Sequence, residues 1–90
     1  MVKKDFINEL AKRTGLKKVD SERTVNAITE IIIDTLSKGE EVNITGFGKF
    51  IVRRKEEKNG RNPYNGESLI IPAHNVPVFK AGKILKEAVK

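Results

Sequence analysis

GFGKFIVRRKEEKNGRNPYNG, residues 46–66, begins as a core strand and ends as a charged one. After the Gly46-Phe47-Gly48 turn, Phe50 and Val52 continue an apolar face. From Arg53 the apolar side chains give way to Arg53, Arg54, Lys55 and Lys58. A strand that sheds apolar side chains and gains charge cannot lie on a hydrophobic core along its whole length, so its outer part meets solvent or a polyanion. The stretch reaches a tip at Arg61-Asn62-Pro63, where a rigid apolar ring stands beside a guanidinium. Apolar wedges inserted between base steps are the means by which minor-groove architectural proteins kink a duplex.

Charge outside this stretch follows the same division. The net charge is +6, yet residues 1–48 hold eight Lys/Arg and eight Asp/Glu, whereas residues 49–90 hold ten and four. A basic half joined to a neutral half implies a surface for a polyanion rather than general solubility. An anionic membrane is the competing partner, but no segment offers the ~20 apolar residues of a transmembrane helix or an amphipathic anchor with a basic polar face. Cysteine is absent, which excludes disulfides and thiolate metal sites and fits a reducing cytosol. The start, MVKKDF, lacks the apolar stretch of a secretory signal. At 90 residues the chain is expected to form a single domain, near the lower end of what one core supports.

On the N-terminal side, Phe6, Ile7, Leu10 and Ala11 form the stripe of an amphipathic helix that ends at Gly15. Lys4 is a poor cap for its start, and Asp5 suits a first turn. A second helix is predicted to begin between Val19 and Ser21, with Asp20 and Ser21 both competent caps, and to stop at Gly39. Val42 and Ile44 alternate with Asn43 and Thr45 as a half-buried strand. Asn59-Gly60 and Asn65-Gly66 read as turn dipeptides. Residues 68–72 read as the returning strand, with Pro72 and Pro77 requiring an edge or a bulge. A short helix over 83–90 would turn Ile84, Leu85, Ala88 and Val89 inward and Lys83, Lys86 and Lys90 outward.

The second helix has too many apolar residues for one wet helix. Val25, Ile28, Ile32 and Leu36 make a stripe, while Ala27, Ile31 and Ile33 spread around the cylinder. Two short helices and a hairpin offer too little surface to cover them. A second copy of the chain, in an intertwined homodimer, is the economical covering; the alternative is a tightly packed monomer with a few exposed isoleucines.

Gly46-Phe47-Gly48-Lys49-Phe50, Gly60-Arg61-Asn62-Pro63, Ile71-Pro72-Ala73, Val76-Pro77, Phe79-Lys80 and Gly82-Lys83 follow one another in order. In this series the chain resembles, from end to end, the bacterial HU and integration host factor family of DNA-bending proteins, and most of all HU. That family is a standing example of minor-groove binding with apolar wedges. The resemblance implies an α+β intertwined dimer: a helical body with a small β-sheet from residues 1–52 and 73–90, and two extended β-ribbon arms from residues 53–72. It implies that Pro63 inserts between base pairs, that Arg61 and Asn62 lie in the groove, and that Arg53, Lys55 and Lys58 contact phosphates. Lys80, Lys83 and Lys86 would extend the cationic track over the body, and Phe47, Phe50 and Phe79 would form the dimer core together with Ile32. The implied partner is double-stranded DNA, with a preference for bent, nicked or gapped duplexes, in the cytoplasm and on the nucleoid.

The sequence departs from that pattern after the tip proline. Tyr64 and Asn65 stand where the family usually has a polar residue and a threonine. Asn65 keeps a hydrogen-bonding side chain, and Tyr64 either stacks on sugar or base or covers the arm. Ala81 replaces a common proline before the last helix.

No other constellation competes. His74 is the lone histidine, and Glu30, Asp34, Glu40 and Glu41 read as a solvated face without a nucleophile or metal ligands beside them. Gly46-Phe47-Gly48 lacks the further glycine and helix of a phosphate-binding loop. No enzyme, cofactor, metal or small-molecule substrate is therefore expected. With no side chain set for major-groove readout, sequence preference should be weak. A site-specific bending subunit like integration host factor, or an RNA-binding module, remains the alternative.

Overall fold

The computed structural model describes residues 1–90 and is α+β. Residues Met1–Asp34 and Thr35–Lys90 form two compact units.

The first unit contains α1, Lys3–Thr14, and most of α2, Lys18–Ser37. Val2 takes the N-cap position of α1, and its N–H donates to the Asp5 carboxylate at 3.1 Å. Asp5 therefore reaches back to the cap as well as placing a negative charge in the first turn. Gly15 closes the helix in the left-handed region (φ 76), its N–H donating to the Ala11 carbonyl, as its place in the sequence implied.

The start of α2 differs from the expectation. Ser21 N–H already bonds to the Lys17 carbonyl at 2.9 Å, so the helix starts at Lys18 and Ser21 is not a cap. Ser21 is instead fully buried inside the helix, and Asp20 sits in the first turn, where its charge complements the N-terminal end of the helix dipole. A helix start among several good capping residues is decided by which of them faces the interior, and that is not local information. The helix ends in a turn at Gly39, whose N–H donates to the Leu36 carbonyl.

The second unit is built on an antiparallel sheet in the order β1-β2-β5, comprising Val42–Ile44, Gly48–Lys55 and His74–Ala81. The Gly46-Phe47-Gly48 turn joins β1 to β2, with Phe47 N–H donating to the Ile44 carbonyl. A separate hairpin pairs β3, Lys58–Arg61, with β4, Ser68–Ile71, and with nothing else. Asn59-Gly60 is thus not a turn: Asn59 faces Ile70 and Gly60 faces Leu69 in the ladder. Pairing with an opposite strand overrides the local turn preference of the dipeptide. Pro77 lies in the edge strand β5 and Pro72 lies between β4 and β5, both where a missing N–H is tolerated.

The last helix, α3, spans Lys83–Ala88, shorter than expected. Of the side chains assigned inward, only Leu85 is half-buried, while Ile84, Ala88 and Val89 are exposed. A single chain has no further layer to place over them.

The same holds throughout. Ile7 and Val25 are the only fully buried apolar residues, while Phe6, Ile28, Ile31, Ile33, Ile44, Phe47, Phe79 and Ile84 are all at least 40% exposed. Apolar exposure on this scale marks an interaction surface. No helix is long and apolar enough to cross a membrane.

Candidate nucleic-acid interface

Strand β2 changes environment where the sequence changes composition. Lys49, Phe50, Ile51 and Val52 are half-buried, while Arg53, Arg54 and Lys55 are exposed. Their partners in the ladder are Val76, Asn75 and His74, none of them anionic. No ion pair engages Arg53, Arg54, Lys55, Lys58 or Arg61. These cations are thus exposed along β2 and β3 without ion-pair partners.

After Lys55 the ladder breaks. Glu56 and Glu57 lie outside any strand, as do Pro72 and Ala73, between the Lys55–His74 and Lys58–Ile71 pairs. Pro72 has no N–H to offer, and its carbonyl accepts a hydrogen bond from His74 Nδ1 at 2.9 Å, so the lone histidine is an exposed side chain bracing the break. Pairing resumes with Lys58 opposite Ile71 and ends with Arg61 opposite Ser68.

The tip beyond Arg61 is tied by hydrogen bonds rather than by packing. Asn62 N–H donates to the Glu67 carbonyl and Gly66 N–H to the Asn62 carbonyl, each at 2.8 Å. The Asn62 side-chain oxygen accepts from Tyr64 N–H, and that of Asn65 from Glu67 N–H, both at 2.9 Å. Asn62 therefore arches the chain over Pro63, which is exposed, a brace of the local kind that an asparagine side chain makes to the backbone two residues on. Asn65 keeps the turn closed, as its hydrogen-bonding side chain suggested. Gly66 takes the left-handed conformation (φ 70) that the closure requires.

Nearer the body, Lys49 and Lys80 face each other across β2 and β5, and both line a concavity of about 280 Å³ with Lys86. Like charges directly opposite in a ladder repel, so an anion bound there relieves a cost built into the sheet. Lys83 does not line this concavity. Lys49 was missed in the sequence because its opposite number is set by register alone. A second concavity, in the first unit, is lined by Lys3, Lys4 and Lys18 with Ile7 and Glu22. A neutral total over residues 1–48 concealed this local cluster.

The aromatic residues converge on Phe79, whose ring centroid lies 5.3 Å from that of Phe47 and 4.8 Å from that of Phe50, both pairs tilted. The Phe47 carbonyl accepts the Gly82 N–H at 2.8 Å, tying the turn to the end of β5. Phe47 and Phe79 nevertheless remain 46% and 40% exposed. Ile32 is half-buried on α2.

Residues 1–90 match the family described as bacterial DNA-binding protein. The chain is 52% identical over 88 residues to DNA-binding protein HU of Lactococcus lactis, covering 98% of this chain and 97% of that one. It is 47% identical over 90 residues to DNA-binding protein HU of Geobacillus stearothermophilus, covering both chains completely. Among solved structures it superposes on HU of Anabaena in a cocrystal with DNA, with a TM-score of 0.95, 36% identity and coverage of 99% and 97% of the two chains. HU of Thermotoga maritima gives a TM-score of 0.73 at 39% identity, with both chains fully covered.

Proposed function

The chain belongs to the bacterial DNA-binding protein family, and from that premise we propose that it is a histone-like architectural protein that binds duplex DNA through the minor groove, bends it and compacts it. One observation carries the reading: a row of exposed cations without carboxylate partners leads to a hydrogen-bonded tip that presents Pro63. Such an arrangement has no structural use within the chain, and it matches what a polyanion with an openable base step requires.

In this reading Arg53, Lys55 and Lys58 meet phosphates along the ribbon, and Lys80, Lys83 and Lys86 continue the track with Lys49. Arg61 and Asn62 enter the groove beside Pro63, which wedges into a base step. The preferred duplex is already bent, nicked or gapped, because such DNA has a smaller unstacking cost. The functional molecule is a homodimer that forms a single domain over 1–90 in each copy, with the body from 1–52 and 73–90 and the arm from 53–72. Ladder partners of Arg53 and Lys55 at Val76 and His74 supply the base on which that arm stands. Phe47, Phe50, Phe79 and Ile32 form the shared core, which accounts for the apolar side chains that one chain leaves uncovered. The protein works in the cytoplasm on the nucleoid. Its role is binding rather than catalysis, in keeping with a family of DNA-binding proteins.

A mobility-shift comparison of intact, nicked and gapped DNA duplexes with an RNA duplex tests this. The expected order is gapped and nicked DNA first, intact DNA next and RNA last. RNA bound as tightly as gapped DNA would overturn the reading. Strong discrimination among intact duplex sequences would favour a site-specific bending subunit instead.

A further inference from the structure

The tip holds one side chain for which the chain itself has no use. Tyr64 is 96% exposed, more than any other large apolar residue. Its ring packs on no other ring, and its phenol takes no part in the hydrogen bonds that close the tip. The backbone beneath it is nonetheless held on both sides: Tyr64 N–H by Asn62 Oδ1, and the following turn by the Gly66 N–H to Asn62 carbonyl bond. The ring is therefore presented from a pre-ordered base directly after Pro63, so little backbone entropy remains to be lost on binding.

The surroundings indicate what covers it. Arg61 and Lys58 lie on the same hairpin without ion-pair partners, which favours a polyanion over an apolar protein surface. A phenol has an aromatic face and a polar edge. An opened minor groove offers the complement, an unstacked base face beside a floor of hydrogen-bond acceptors. We propose that Tyr64 is a DNA-contacting residue of the tip that stacks on a base exposed where the duplex is opened beside Pro63. This inference rests on the DNA-bending reading given above and adds a neutral contact to it. Because the ring is uncharged, its contribution is insensitive to salt and greatest on duplexes that already expose a base.

The chain contains one tyrosine and no tryptophan, so its intrinsic emission reports on the tip alone. Titration with a short gapped duplex, end-labelled so that binding is followed separately by anisotropy, should quench the Tyr64 emission at saturation. Tyr64→Ala removes the ring from both arms and should weaken binding of the gapped duplex by about five- to tenfold for each base–aromatic stack lost, the lower range for such a stack, and weaken that of the intact duplex less. Tyr64→Phe, which keeps the ring, should recover most of that loss, and the salt dependence should be the same for all three chains. Binding of the gapped duplex with unchanged emission, or with undiminished affinity in Tyr64→Ala, overturns the Tyr64 contact and leaves the DNA-bending reading standing. A parent chain that binds no duplex overturns both.

Discussion

Replacing Phe47 by alanine measures how much of the core belongs to one chain and how much to two. The Phe47 ring lies 5.3 Å from that of Phe79 yet remains 46% exposed in the single chain. Its own chain therefore covers about half of it. Truncating a fully buried phenylalanine costs about 3–5 kcal/mol, so the half covered internally accounts for about 2 kcal/mol of folding stability on that scale. The other half, again about 2 kcal/mol, contributes only when a second copy lies over the ring. A homodimer contains the ring twice, so the interface share is about 4 kcal/mol, or about a thousandfold in the dimer dissociation constant. Sedimentation equilibrium of parent and Phe47→Ala gives that constant directly. Melting temperatures recorded over a range of protein concentrations give an independent reading, since dimer melting must rise with concentration. The reasoning fails if the parent sediments as a folded monomer at micromolar concentration. It fails equally if Phe47→Ala is destabilised but leaves the dissociation constant within about threefold of the parent.

Four other substitutions probe separate parts of the molecule. Pro63→Ala keeps every charge, so affinity for straight DNA should fall little, while bending and the preference for gapped duplexes fall much more; equal bend angles by fluorescence transfer would remove Pro63 from the mechanism. Lys55→Ala should weaken binding to all sequences alike and reduce the slope of log affinity against log salt by about one for each phosphate left without its cation, with each arm of a dimer contributing. Lys12→Ala, on α1, should change the slope almost not at all, and the reverse pattern would place the DNA path elsewhere. Gly48→Ala puts a Cβ 2.6 Å from both the Lys80 carbonyl oxygen and the Phe79 ring, so thermal melting should show a loss of about 1–3 kcal/mol from overpacking, and an unchanged melting temperature would show that β5 yields easily there.

Much of this protein is legible in the order of its residues because the deciding signals are local. The stripe from Phe6 to Ala11 and the cap at Gly15 specify α1, since a 3.6-residue period and a left-handed glycine refer only to neighbours along the chain. The passage from Phe50 and Val52 to Arg53, Arg54 and Lys55 marks where the sheet leaves the core. Pro63 beside Arg61 marks the tip, and the surplus of isoleucine on α2 already implies a covering that one chain does not provide. Tertiary structure alone decided what depends on partners distant in sequence. Strand register set Lys49 against Lys80 and drew Asn59-Gly60 into a ladder. The strand break at Glu56 and Glu57 falls between the Lys55–His74 and Lys58–Ile71 pairs. Register is a pairwise matter: it depends on a hydrogen-bonding partner whose position the rest of the fold determines, and a residue's own chemistry does not name that partner.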